Sequence, residues 1–238
     1  MNFREKIKLL EEWIYKSNRI VIFTGAGIST LSGIPDFRSP NGLYKKKSII
    51  APEEILSHHY FLSHPESFYQ FLKREMLYLN AKPNKAHFWI SELEEEKEIT
   101  VVTQNIDSLH QIAGSKKVLE LHGNIREYYC MKCGKKYEKE ILKKELPICS
   151  CNGLIRPNIV LYEEALNEET FNEAIFAILK ADMIIVIGSS LVVTPASDLL
   201  SFYSGNRFVI MNKEETPYDR KANLVFHEDI LKIMRAIR

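Results

Sequence analysis

Six short runs rich in β-branched residues, with longer helical patterns between them, constrain the fold of this chain more than any other feature. The runs are 19–24, 99–103, 117–121, 183–187, 207–211 and 224–226. Helical patterns fall at 4–16, about 85–97, 169–180 and about 229–237, the first with Ile7, Leu10 and Ile14 on one apolar stripe. Strands joined through helices pair in parallel, so the pattern predicts an α/β fold: a doubly wound parallel sheet with helices on both faces.

Two stretches break that rhythm. Residues 40–84 carry Tyr44, Tyr60, Phe61, Phe68, Tyr69 and Phe71 at helical spacing, and residues 124–156 hold every cysteine. Both read as insertions that form a smaller unit, 40–84 helical and 124–156 metal-binding. The larger unit is then 1–39, 85–123 and 157–238. A length of 238 residues suits one large domain or a domain and a half and needs no covalent staples. Residues 92–98 read as a solvated acidic helix face and 45–47 as a solvated loop, with binding of an anionic phosphate or substrate as the alternative for the latter.

Lys and Arg number 32 against 31 Asp and Glu, so charge gives no reason to expect nucleic acid or anionic lipid as a partner. The apolar stretch 174–193 is interrupted by Lys180 and Asp182 and falls short of a membrane span. The first residues mix acid and base without the apolar core of a signal peptide. A cytoplasmic monomer is the expectation.

The residues that follow the strands are small or polar: Gly25-Ala26-Gly27-Ile28-Ser29-Thr30, Gln104-Asn105-Ile106-Asp107, His122-Gly123, Gly188-Ser189-Ser190 and Asn212. Ligands of open α/β sheets bind beyond the carboxyl ends of the strands, so these ends together predict a ligand-lined rim. Gly25-x-Gly27 fits a dinucleotide loop whose following helix start would meet a pyrophosphate. An ordinary tight turn is the alternative. Thr30 stands at the third glycine position, and no acidic residue ends a second strand about 20 residues on. That argues against a hydride-transferring dehydrogenase.

Cys130-x2-Cys133 and Cys149-x-Cys151 are separated by fifteen residues. Two thiolate pairs at this separation predict one structural zinc with four sulfur ligands and no open position for water. Unmetallated reduced thiols are the alternative, and the single residue inside the second pair implies a tighter geometry. His122 closes a strand at the rim, where an imidazole can take a proton near pH 7. His58, His59, His64, His87, His110 and His227 read as ordinary core or surface residues.

Taken together, Gly25-Ala26-Gly27-Ile28-Ser29-Thr30, Gly33-Ile34-Pro35-Asp36-Phe37-Arg38, Thr103-Gln104-Asn105-Ile106-Asp107, His122-Gly123, the cysteine quartet and Gly188-Ser189-Ser190-Leu191 resemble a sirtuin, in the family's order and over nearly the whole chain. The likeness is to the bacterial and archaeal NAD-dependent protein deacetylases. It implies a Rossmann-like large domain, a small domain of zinc ribbon plus helices, and a cleft between them for NAD and an acetylated peptide or protein. It further implies that Gly25, Ala26, Gly27 and Thr30 meet NAD, and that Phe37 and Arg38 cover ribose and nicotinamide. Gln104, Asn105, Ile106 and Asp107 would line that pocket. Gly188, Ser189, Ser190 and Asn212 would hold the adenosine half, with Asp229 and Ile230 near the adenine. His122 would be the catalytic base, with Asn105 and Asp107 beside it. Val160, Tyr162, Leu191, Val192 and Val193 would pair with the peptide as an added strand.

The implied reaction moves the acetyl group of acetyl-lysine to ADP-ribose, releasing nicotinamide and O-acetyl-ADP-ribose. Placement of a weak nucleophile beside the ribose carbon would supply about 7–11 kcal/mol. Two departures matter. Members that prefer succinyl or malonyl groups carry a Tyr and an Arg three residues apart, whereas Tyr69 is followed at that spacing by Leu72. The usual Phe-Gly-Glu reads Tyr162-Glu163-Glu164. Rival readings are a deacylase for other acyl groups, an ADP-ribosyltransferase, and a zinc-ribbon nucleic-acid module. The last is disfavoured because Glu138, Glu140 and Glu145 offset Lys132, Lys135 and Lys136. Phe61, Phe68 and Phe71 read as core rather than an acyl channel.

Overall fold

Alternate residues of the central strands point into two different cores. Along β1 (Arg19–Thr24), Ile20 and Ile22 pack into one and Val21 and Phe23 into the other. The same alternation separates Ile185 from Ile184 and Val209 from Ile210. Strands apolar on both faces are those of a parallel sheet covered by helices. The computed structural model describes residues 1–37, 39, 42–45 and 50–237, with Lys45 described in backbone alone.

The other strands are β2 (Glu98–Thr103), β3 (Val118–Glu120), β4 (Gly123–Cys130), β5 (Lys136–Tyr137), β6 (Ile155–Ile159), β7 (Met183–Ile187), β8 (Phe208–Met211) and β9 (Leu224–Phe226). The large sheet has order β3-β2-β1-β7-β8-β9, all parallel. The chain winds outward from β1 in one direction, returns, and winds outward from β7 in the other. The carboxyl ends of β1 and β7 are therefore neighbours, with Thr24 opposite Ile187. That is the switch point where a Rossmann-like sheet opens a crevice.

Helix α1 (Phe3–Lys16) starts at a capping box in which Asn2 accepts from the Glu5 N–H, and it buries Ile7, Leu10 and Ile14. Helices α2 (Pro52–Ile55), α3 (His58–Ser63) and α4 (Pro65–Phe71) follow, and α4 runs on into a π-turn at Leu72–Met76. Phe61, Phe68, Tyr69 and Phe71 form a core of their own there, together with Ile125, Ile159 and Leu161. Helix α5 (Lys85–Leu93) stops four residues before its expected end. Glu94, Glu95 and Glu96 would place carboxylates at the negative end of the helix dipole, and the chain turns there instead. Helices α6 (Leu109–Ala113), α7 (Glu168–Lys180) and α8 (Ile230–Ala236) complete the set.

The second sheet is antiparallel, ordered β5-β4-β6. Its central strand starts at Gly123, immediately after His122, so two residues carry the chain from one sheet to the other. Gly123 has φ +75°, and a Cβ there would lie 2.1 Å from the Asn158 carbonyl oxygen. Only glycine makes that turn. Among the described residues, no helix is long and apolar enough to cross a membrane.

Candidate active site

Gly25 and Gly27 bring the loop after β1 onto the loop after β7. The Gly25 N–H donates to the Ile187 carbonyl at 3.2 Å, and the Gly27 N–H to the Gly188 carbonyl at 2.8 Å. A Cβ on Gly27 would stand 2.7 Å from Gly188, so the glycines are required by packing between the loops as well as by any ligand. The helix that follows, Ala26–Ser32, is 3₁₀ rather than the α-helix start expected for a dinucleotide loop. Gly27 has spent its N–H on Gly188, and Thr30 turns its hydroxyl back to the Gly27 carbonyl at 2.9 Å.

Beyond these loops lies a cleft with a cavity volume of about 460 Å³. Gly25, Ala26, Gly27, Thr30 and Phe37 line it from the first loop, and Gln104, Asn105, Ile106, Asp107 and His122 from the next two. Gly188, Ser189, Ser190, Asn212, Asp229 and Ile230 close the far side. Val160, Tyr162 and Val193 also face it. Two of the expected peptide residues do not. Leu191 is a core residue, 2% exposed, because its backbone turns at φ +55° and sends the side chain beneath the sheet rim. Val192 points outward and is half exposed. Arg38 lies outside the described residues.

His122 donates from Nδ1 to the Gln104 carbonyl at 2.9 Å. That bond selects the tautomer whose Nε2 carries a lone pair. Burial pushes the pKa of the imidazole below its ordinary value, partly offset by the Gln104 carbonyl. Asn105 spends its side-chain amide on the Gly25 carbonyl (3.1 Å) and the Ser29 hydroxyl (3.2 Å), tying the second loop to the first. Asp107 accepts from the Ser29 hydroxyl at 2.6 Å and from the Leu109 N–H at 2.9 Å. Burial nevertheless holds its carboxyl pKa above the ordinary range.

The cysteines converge at the tip of the second sheet. The Sγ atoms of Cys130, Cys133, Cys149 and Cys151 all lie within 4.8 Å of one another. Cys130 and Cys151 are 3.5 Å apart and Cys133 and Cys149 3.7 Å. A tetrahedron with Zn–S bonds of about 2.3 Å has edges of about 3.8 Å, so the quartet fits zinc. The Cys151 N–H and the Tyr137 hydroxyl, the latter at 3.0 Å, lower the pKa of the Cys149 thiol, in the direction a thiolate ligand needs.

Compared with known protein families, residues 25–195 match the Sir2 family. The chain belongs to the Sir2 family. Two curated relatives are bacterial NAD-dependent protein deacetylases. That of Clostridium acetobutylicum is 45% identical over 98% of each chain. That of Thermotoga maritima is 49% identical over 100% of this chain and 97% of its own. A solved Sir2 with p53 peptide and NAD+ superposes with TM-score 0.87 at 46% identity, covering 96% of this chain and 95% of that one. A Sir2 variant with deacetylated p53 peptide and 3′-O-acetyl ADP ribose superposes with TM-score 0.91 at 47% identity, covering 97% and 96%.

Set against this Sir2 framework, the sequence reading passed over three side chains. Ser29 bridges Asn105 and Asp107, and nothing in its own spacing announces that. Arg126 lines the cleft and donates to the carbonyls of Asp107 (3.2 Å) and Leu79 (3.2 Å), clamping the second loop from the small-sheet side. Arg156, 5% exposed, is paired with Glu164 at 2.5 Å beneath the segment that follows β6. The Glu92–Glu98 stretch, expected as a solvated helix face, is largely turn, and Glu94 accepts from the Lys116 N–H.

Proposed function

We propose that this chain is an NAD-dependent protein-lysine deacetylase that transfers the acetyl group of acetyl-lysine to ADP-ribose, releasing nicotinamide. One observation carries the reading: His122, which lines the cleft and is pinned by Gln104, is neutral, with no partner for Nε2 among the described residues, so that it can accept a proton there. NAD, when bound, supplies a ribose carbon made electrophilic by loss of nicotinamide. His122 then takes a proton from a ribose hydroxyl at Nε2, a step worth about 10²–10⁴-fold. Ile106 and Asp107 hold the carboxamide of the leaving nicotinamide. Ala26 meets the cofactor's phosphates with its backbone, and Gly25 and Gly27, whose N–H groups are spent on Ile187 and Gly188, let that backbone come close. Ser189, Ser190 and Asn212 take the adenosine half, with Asp229 and Ile230 at the adenine. Asn105 acts by joining the two loops. Peptide lies along Val160, Tyr162 and Val193 as an added strand.

The same reading divides the chain into a large unit (1–39, 85–123 and 157–238) and a small one (40–84 and 124–156). Support comes from the helical module having a core distinct from the two of the sheet, although Ile159 and Leu161 of the large unit pack into it. Cys130, Cys133, Cys149 and Cys151 hold one zinc that stiffens the ribbon. With four thiolates it has no position for water, so its part is structural. Monomeric state and a cytoplasmic setting belong to the same reading.

The test is incubation with NAD and an acetyl-lysine peptide. The expected products are free lysine peptide, nicotinamide and O-acetyl-ADP-ribose by mass spectrometry. ADP-ribosylated peptide would favour the transferase alternative, and no nicotinamide release would end the proposal.

A further inference from the structure

The segment 160–164 leaves β6 and is stitched to the helical module. Tyr162 donates its N–H to the Leu56 carbonyl and accepts from the His58 N–H, both at 3.0 Å. The Glu164 N–H donates to the Leu161 carbonyl at 3.1 Å and closes a four-residue turn. Glu163 is the third residue of that turn, with φ +75°. A type II turn takes glycine there, because a Cβ crowds the backbone in the left-handed region. Glu163 therefore needs something to hold it.

The turn is braced by Glu164, which accepts from the Leu161 N–H at 2.8 Å and pairs with Arg156, but the Glu163 side chain itself is held by a single residue. His59 donates from ring Nδ1 to Glu163 Oε1 at 2.7 Å and from its backbone N–H to Oε2 at 3.1 Å. Both carboxylate oxygens are thus gripped by the first turn of α3. The ring is steadied in turn by the Ser57 hydroxyl, 3.1 Å from Nδ1. Ser57 is itself the cap of that helix. The grip lowers the pKa of the Glu163 carboxyl. The partners are distant in the chain, and neither residue alone explains the other.

We propose that His59 is a positioning residue for the acyl-lysine peptide: by gripping Glu163 in its left-handed conformation, it sets the direction of the strand 160–162 on which the peptide lies. The place of the peptide rests on the deacetylase reading above; the grip itself does not. Without His59, Glu163 relaxes toward negative φ, the turn opens and the edge offered to the peptide shifts. His122 meets this segment at its backbone, where the Val160 N–H donates to its carbonyl at 2.9 Å; its ring is held by the Gln104 carbonyl and keeps its geometry, as does the cofactor side of the cleft. Glycine at 163 adopts the turn unaided, so it makes His59 dispensable.

The experiment is a double-mutant cycle on the whole protein with saturating NAD and an acetyl-lysine peptide. It is read as peptide KM and kcat, with hydrogen exchange of amides 161–164 in parallel. His59→Ala is expected to raise peptide KM about tenfold, the release of one left-handed residue. The NAD KM and kcat stay near wild type, and exchange at 161–164 speeds up. His59→Asn, which can still donate to the carboxylate, restores most of the KM. In a Glu163→Gly background, His59→Ala has no further effect on KM. An equal KM rise in both backgrounds overturns the assignment, as does unchanged exchange at 161–164. A wild type that turns over no acetylated peptide overturns the deacetylase reading and this assignment together. An active wild type whose KM ignores His59 overturns this assignment alone.

Discussion

Nδ1 of His122 donates to the backbone carbonyl of Gln104 at 2.9 Å, so the loop after β2 dictates the tautomer of the imidazole after β3. The same loop is anchored on its other side, where Gln104 Nε2 donates to Ser189 Oγ at 3.1 Å and the Gln104 N–H to the Thr24 carbonyl at 3.0 Å. Four strand ends are thereby held in register around one ring.

Removing that ring by His122→Ala is expected to lower turnover about 10²–10⁴-fold in a folded protein. In the proposed reaction His122 acts in its neutral form, and burial lowers its pKa. Consequently kcat/KM rises with pH and reaches its plateau with an apparent pKa below the ordinary histidine value of about 6.5. A pH–rate profile measured with acetylated peptide checks this, and an acid limb centred above that value contradicts it.

Acid weakens the fold through two other histidines. His87 and His110 are buried with ring centroids 4.9 Å apart, and burial pushes their pKa values down to about 4 and about 3. The unfolded chain takes up their protons near pH 6.5, before the folded one does. Stability is therefore complete above that pH and falls as pH drops toward 4. Asp107 and Glu120, raised by burial, act in the opposite sense, so thermal melts should compare wild type and His110→Phe at each pH. The variant's decline between pH 6.5 and 4 should be shallower; parallel declines would remove the assignment.

Acetyl peptides should be preferred over succinyl peptides by about 10- to 100-fold in kcat/KM, the worth of one charge-assisted hydrogen bond. Tyr69 is buried and gives its hydroxyl to the Ile155 carbonyl at 2.7 Å, while Leu72 is core. Lys73 caps the Lys144 carbonyl and Arg74 pairs with Glu75. Arg126, which lines the cleft, is drawn away by the Asp107 and Leu79 carbonyls, to which it gives Nε and Nη2. Equal turnover of matched peptides would contradict this.

One zinc per chain is expected by elemental analysis, released together with the four thiols on mercurial titration. Chelation should make the ribbon between Cys130 and Cys151 protease-sensitive and leave the buried six-stranded sheet protected. A protein without zinc whose ribbon is equally resistant would overturn the site.

Ser108→Gly should stabilise the protein by about 1 kcal/mol, or about 2–4 °C in Tm. Ser108 sits at φ +63°, and its buried hydroxyl has no hydrogen-bond partner among the described residues. Glycine removes both penalties, which together outweigh the added freedom it gives the unfolded chain. A lower melting temperature would show that the hydroxyl has a stabilising partner.

Local patterning carries information that burial obeys residue by residue. The strands 19–24, 183–187 and 224–226 form over the expected residues, because their runs of Ile, Val and Phe can be satisfied only between two helical layers. The cysteine quartet was equally legible, since thiolates at those spacings have one common use. Helix ends were less so: the end of α5 was decided by three glutamates against the helix dipole, a competition that periodicity does not register.

By itself, then, the sequence determined the layered α/β fold, the rim of small and polar residues, the metal quartet and the candidate base, because each depends on residues near one another in the chain. Tertiary structure alone decided what those residues face. It turned Leu191 into the core, set Ser29 between Asn105 and Asp107, clamped the loop with Arg126, and brought His59 to Glu163 across about a hundred residues. The physical reason is that such partners meet only after the sheets and helices have packed, and no spacing along a chain encodes which distant carboxylate a given imidazole will meet.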